Sequence, residues 1–220
     1  VILIPVKNSA SAKQRLASIL DQPARTQLAQ AMLHDVVSAL ADWRNRPSVA
    51  LVTNDPFAIK LAHEYNFEII PDPTNPGETG AIEMATQICE ERGCKFSLVI
   101  PADIPLIQAS ELQEILKQAP PVGTLLVPAA DGRGTNAAFR RPAGLFPLRF
   151  GNDSFKPHLA AAQATGKPSI VLQSPGIAVD VDNPEDLQRL LALPGDTRAQ
   201  RLARTWNLAS SPLPTSTNRL

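Results

Sequence analysis

Across 220 residues the 21 Lys and Arg balance the 21 Asp and Glu, so the formal net charge is +0, and 44% of the residues are hydrophobic. That balance excludes a nucleic-acid binder relying on bulk positive charge, while the apolar content suffices for one sizeable core. No run approaches the roughly eighteen apolar residues of a membrane span, and Cys89, Cys94 and the three scattered histidines make no zinc spacing.

The chain opens with "VILIPV" (1–6), an apolar strand, and passes into a loop carrying Lys7, Lys13 and Arg15 with no Asp or Glu among them. This opening lacks the charged, apolar and small-residue sections of a signal peptide, so a cytoplasmic location is expected, with the cysteines as idle thiols. A loop leaving a strand's carboxyl end and entering a helical segment offers backbone N–H groups beside its cations, which suits a polyphosphate. A solvated turn is the other reading. The glycines of a P-loop are missing.

A helix is predicted over Asp21–Trp43, where Leu28, Met32, Val36 and Leu40 draw one apolar stripe. That stripe suits a core or a homodimer partner equally. Further strands are predicted at "SVALVT" (48–53), "FEII" (67–70), "FSLVI" (96–100), "TLLVPA" (124–129), "SIVLQ" (169–173) and "IAVDVD" (177–182). Several are apolar throughout, as strands covered on both faces should be. Asp55-Pro56 and Asn183-Pro184 each put a capping side chain before a proline at the first helical position. "SELQ" (110–113) has capping-box spacing. The alternation predicts an α/β fold, a mostly parallel sheet with helices on both faces, and ligands at the carboxyl ends of the strands. One domain is expected over 1–208, followed by a mobile tail at 209–220 with little to bury.

Asp103 lies just past the fourth strand, held between Pro101 and Pro105, with Ser110 read as the cap of the following helix. Asp180 and Asp182, two apart on a strand, would point to one side and repel unless a cation lay between them. Magnesium is the natural hard ion for such oxygens, and two solvated edge aspartates are the alternative. In "GRGTNAAF" (132–139) the glycines permit close backbone approach while Thr135 and Asn136 supply hydroxyl and amide donors. In "FGNDSFKPHL" (150–159) Gly151 precedes a helix capped between Asn152 and Ser154, where an anion would meet N–H groups and the positive helix end. His158 follows one turn on. No serine or cysteine nucleophile has a visible base, so a covalent route gains no support.

Taken together, "IPVKNSASAKQRL", "PADIPL", "GTNAAF", "FGNDSFKPHL" and "VDVDNPEDL" resemble, in order and rough spacing, the 2-phospho-L-lactate guanylyltransferases of coenzyme F-420 biosynthesis and their phosphoenolpyruvate-using branch. The resemblance covers about residues 1 to 193. It implies a nucleotidyltransferase fold akin to the GT-A (nucleotide-diphospho-sugar transferase-like) enzymes. It implies GMP transfer from GTP to the phosphate of a three-carbon acid (2-phospholactate, phosphoenolpyruvate or 3-phosphoglycerate), with pyrophosphate released. By motif position, Asp103, Asp180 and Asp182 would hold magnesium, with manganese able to replace it. Thr135, Gly151 and Ser154 would hold the phospho-acid, and Lys7, Lys13 and Arg15 the GTP phosphates.

One stretch departs from the pattern. In the loop near the nucleobase, where the family places a glycine-leucine-asparagine run, this chain reads "NPGETGAIEMA" (75–85); Gly80 can be matched, but Ile82 stands near the asparagine's place. Guanine preference or the shape of the acid pocket would feel that change. The competing readings are a molybdopterin or sugar-phosphate nucleotidyltransferase, whose glycine-rich opening is absent here, and a non-catalytic nucleotide-binding module. GTP and a small phosphorylated acid are the expected partners, with neither nucleic acid nor membrane.

Overall fold

The computed structural model describes residues 1–73, 77–151 and 153–206. The predicted tail at 209–220 and Asn152 fall outside them, as do Asn75 and Pro76 of the atypical stretch. Strands β1 (Ile2–Pro5), β2 (Val49–Val52), β3 (Glu68–Ile70), β4 (Ser97–Val99), β5 (Gly123–Pro128), β6 (Thr135–Arg141) and β7 (Ser169–Val171) form a seven-stranded sheet in the order β3-β2-β1-β4-β6-β5-β7. All neighbouring pairs are parallel except those made by β6, which runs antiparallel to both β4 and β5. The mostly parallel α/β sheet expected from the sequence is therefore present, with one inserted reversal.

Both faces are covered, which explains the unbroken apolar runs. Ile2, Ile4, Val49, Leu51, Leu98, Leu125 and Phe139 point to one side, under α1 (Gln22–Ala41), α2 (Pro56–Glu64) and α4 (Ala109–Gln118). Leu3, Ala50, Val52, Val99, Leu126 and Ala138 point to the other, under α3 (Glu78–Glu91) and α5 (Phe155–Ala164). The α1 stripe faces the core: Val36 and Leu40 pack toward the sheet. Leu28 and Met32 pack with α6 (Pro184–Ala192) and α7 (Arg198–Arg204). Each fully buried Leu, Val or Met contributes about 2 kcal/mol relative to exposure.

The caps behave as their chemistry requires. Asp21, Asp55 and Asn183 each accept the backbone N–H three residues on, at 2.9, 2.9 and 3.0 Å. Ser110 is a correction. Helix α4 begins one residue before it, with Gln108 as N-cap, and Glu111 reaches back to accept the Gln108 N–H at 3.0 Å. The acid three residues after the cap, rather than the hydroxyl, fixed the start.

Two further corrections concern strands. "IAVDVD" (177–182) forms no ladder: it makes a turn and then an extended run. Its alternation is real, since Ile177, Val179 and Val181 are buried. Ile177 joins the core under α1, α2 and α4 and Val181 the one shared by α1, α6 and α7, and the Val181 N–H donates to the Asp103 carbonyl at 3.2 Å. Conversely "GTNAAF", absent from the predicted strands, supplies most of β6. The "NPGETGAIEMA" stretch is helical from Glu78, and Ile82 is buried in the core. Among the described residues no helix is long and apolar enough to cross a membrane.

Candidate active site

The loop after β1 carries no acid of its own, and the structure supplies acids from elsewhere. Asn8 folds the loop locally by accepting the Ala10 N–H, making a 3-10 turn over Ser9–Ser11. Asp55, at the β2–α2 cap, accepts both the backbone N–H and the hydroxyl of Ser9 at 2.8 Å. Lys13 then adopts a left-handed backbone conformation (φ 55°, ψ 45°), uncommon for a residue with a Cβ. This turns its ammonium inward, 2.6 Å from Asp103 Oδ2 and 2.8 Å from Asp182 Oδ1. Arg15 Nη1 lies 4.0 Å from the other oxygen of Asp182, and Lys7 Nζ lies 4.0 Å from Glu78. All six of these charged groups line one cleft of about 420 Å³ at the carboxyl ends of β1 and β4.

The electrostatics follow from burial and pairing. Burial opposes charge on Lys13, yet the Asp103 and Asp182 carboxylates outweigh it and raise the ammonium's pKa. Burial likewise works to raise Asp182, but the Lys13 ammonium wins and holds it below its ordinary value. Two nearby carboxyls have no cation so close: Lys7, 4.0 Å from Glu78, does not offset that residue's burial. Burial and then the charge of Asp103 push Glu78 up to about 7, and the same two causes push Asp180 up to about 6.

Asp180 is held by Asn136, whose amide donates to its Oδ1 and to the Ile177 carbonyl, both at 3.0 Å. The β5–β6 register explains that aim. Val127 pairs with Ala137 but Pro128 pairs with Thr135, so Asn136 is the extra residue of a bulge. Beside it Thr135, buried, has its Oγ1 2.9 Å from His158 Nδ1 and 3.5 Å from the Ser154 hydroxyl. Ser154 is the N-cap residue of α5 and makes no side-chain cap bond. The N–H cradle expected there is narrower than the sequence suggests: the Phe155 N–H goes to the Arg133 carbonyl at 2.8 Å, and Pro157 has none. The hydroxyls of Thr135 and Ser154 are the donors that remain prominent. Gly151, at φ +149° with open space where a Cβ would stand, turns the chain into this corner.

Of the residues singled out from sequence, Lys13, Asp103 and Asp182 meet directly, Arg15 borders them, and Thr135 joins Ser154. Lys7 instead faces Glu78. That glutamate was missed because the stretch holding it read as a loop; the signal available was an acid directly after Gly77, at a helix start. Among the described residues no three acidic, His or Cys side chains already form a cation cage. The donor set nonetheless suits a hard divalent ion: two carboxylate oxygens bracket a monovalent cation, the Lys13 ammonium, and Asp180 is oriented close by.

Comparison with known proteins identifies the family and the fold. The family described as "Guanylyl transferase CofC like" matches residues 1–220. A phosphoenolpyruvate guanylyltransferase of Roseiflexus castenholzii is 35% identical over 204 residues, covering 93% of each chain. A 2-phospho-L-lactate guanylyltransferase of Methanothermobacter thermautotrophicus is 30% identical over 210 residues, covering 96% of this chain and 92% of its own. Among solved structures, a protein of Desulfovibrio desulfuricans G20 provisionally described as a nucleotide-diphospho-sugar transferase superposes with a TM-score of 0.74 at 18% identity, covering 93% of each chain. A nucleotidyl transferase from Methanothermobacter superposes with a TM-score of 0.60 at 14% identity, over 93% of this chain and 97% of that one. These two likenesses bear on the fold.

Proposed function

The chain belongs to the CofC-like guanylyl transferase family, and from that premise we propose that it moves GMP from GTP onto the phosphate of phosphoenolpyruvate, 2-phospholactate or a similar three-carbon phospho-acid. The observation that carries the reading is the carboxylate pair, Asp103 and Asp182, closed around a buried cation at the strand ends. A guanylyl transfer joins two highly charged phosphates, and a site for it must hold cations against both.

The acid's phosphate oxygen attacks the α-phosphorus of GTP in line, and pyrophosphate leaves. Asp103, Asp180 and Asp182 would hold magnesium, or manganese in its place, which when bound neutralises phosphate charge and polarises the α-phosphorus. Lys7 and Arg15, both reaching the cleft, neutralise the triphosphate, Arg15 being able to bind two oxygens at once. Lys13 fixes Asp103 and Asp182 in place and keeps Asp182 ionised. Thr135 and Ser154 donate to the acid's phosphate, with Gly151 shaping the turn beside them. The phosphate nucleophile is already ionised near neutral pH and needs no general base. Holding the two reactants aligned supplies several kcal/mol of the barrier lowering. Soluble, charged substrates support a cytoplasmic location, and the product is one that coenzyme F-420 biosynthesis consumes.

Pyrophosphate release tests the reading. With GTP and a divalent ion, a panel of phosphoenolpyruvate, 2-phospholactate and 3-phosphoglycerate should give release with at least one acid and none without acid. Retention of GTP unchanged with every acid would leave only a nucleotide-binding module.

A further inference from the structure

His158 is only 1% exposed, on the first turns of α5, and both ring nitrogens have partners. The backbone N–H of Arg149 points at Nε2, 2.8 Å away. A peptide N–H can only donate, so Nε2 must present its lone pair. In a neutral imidazole the proton then sits on Nδ1. Nδ1 lies 2.9 Å from Thr135 Oγ1, so the ring donates and the threonine oxygen accepts.

Protonating the ring would set two N–H groups facing each other at Arg149. Burial, and then the positive charge of Arg140, also oppose it, holding the ring's pKa down at about 4. Arg140 is itself fixed: it donates to the Phe146 carbonyl at 2.7 Å, to Thr86 at 2.9 Å and to Ser97 at 3.1 Å. Phe150 meets the imidazole edge-on at 5.2 Å. The ring therefore has one tautomer and one orientation.

We propose that His158 is a positioning residue for the phospho-acid: by donating from Nδ1 to Thr135 Oγ1 it forces the threonine's own hydrogen outward, as an obligate donor to an anionic phosphoryl oxygen. A hydroxyl left alone rotates between donating and accepting. This one cannot turn its hydrogen toward the ring, the Ser154 oxygen at 3.5 Å is too distant to hold it, and a phosphate, rich in lone pairs, is the ligand that rewards such a donor. The inference rests on the assignment of Thr135 to the acid's phosphate.

Two measurements decide it. Nitrogen NMR of the wild-type chain near neutral pH should show the His158 ring protonated at Nδ1 with Nε2 as acceptor; the opposite tautomer would overturn the proposal without any variant having to fold. In kinetics with phosphoenolpyruvate, or whichever acid of the panel turns over, His158→Phe should raise the acid's KM roughly tenfold to a hundredfold, the value of a hydrogen bond to a charged group. The KM for GTP should stay within about twofold, since no new group faces the nucleotide. His158→Asn, which keeps a donor near the Nδ1 position, should recover most of the loss. In a Thr135→Val background His158→Phe should add little, because the two act through one hydrogen. Additive effects, or an equal rise in both KM values, would reduce His158 to a fastener of the 149–151 turn and overturn the proposal. If Thr135→Val alone leaves the acid's KM unchanged, the assignment of the acid site has failed and the role of His158 with it.

Discussion

Lys13 Nζ lies 2.6 Å from Asp103 Oδ2, although 90 residues separate them in the chain. The first loop thus borrows its anion from the fourth strand's end. Lys13→Met should destabilise the protein by about 1–3 kcal/mol in denaturant titrations, less than for a fully buried pair because both carboxylates keep some water. Added manganese should restore part of that loss, since a divalent ion can stand where the ammonium stood. No manganese-dependent recovery in the variant would count against a metal at these two carboxylates.

Glu78 gives a pH signature. Its folded pKa, about 7, lies above the ordinary 4.5. Stability from its protonated form is therefore fully present below about pH 4.5 and lost as the pH rises through about 7. Glu78→Gln removes that loss. Relative to wild type in chelator-treated buffer, the variant should gain on the order of 2 kcal/mol between pH 5 and pH 8, after discounting for partial exposure. A pH-independent difference would mean Glu78 is ionised without cost.

Asp182→Asn deletes charge with little change in volume. Lys13 keeps Asp103, so the fold should persist, while turnover should fall roughly a hundredfold or more at limiting magnesium. Wild-type rates there would remove Asp182 from the catalytic machinery.

Ser154→Ala should raise the KM for the acid about tenfold and that for GTP far less, because its hydroxyl makes no cap bond that the fold would miss. Equal effects on the two substrates would place Ser154 outside the acid pocket.

Much of this was legible before any coordinates. The parallel strands announced themselves as short apolar runs because helices cover both faces, and the caps at Asp55 and Asn183 were plain because Asp and Asn accept N–H groups where a helix starts. The imbalance of the first loop was also informative, since buried cations need anions. Its solution was not local: Asp55, Asp103 and Asp182 come from three other loops, and no window of sequence contains that pairing. Strand β6 was hidden for a related reason. Its first residues are a glycine-flanked bulge, and its partners β4 and β5 dictate its direction only after the sheet forms. Glu78 was hidden by the prolines and the single glycine just before it, which signal a loop more strongly than one acid signals a helix start.

The bulge in β6 has a consequence for how substrate choice can change. Thr135 and Asn136, joined by one peptide unit, serve the hydroxyl corner and the Asp180 carboxylate respectively. No hinge separates the two contacts, so if Thr135 and Asp180 have the proposed roles, a backbone shift that widens the pocket for a bulkier acid drags the proposed metal-holding carboxylate with it. Variation that preserves rate should therefore collect in side chains around that peptide, leaving its path through space the same.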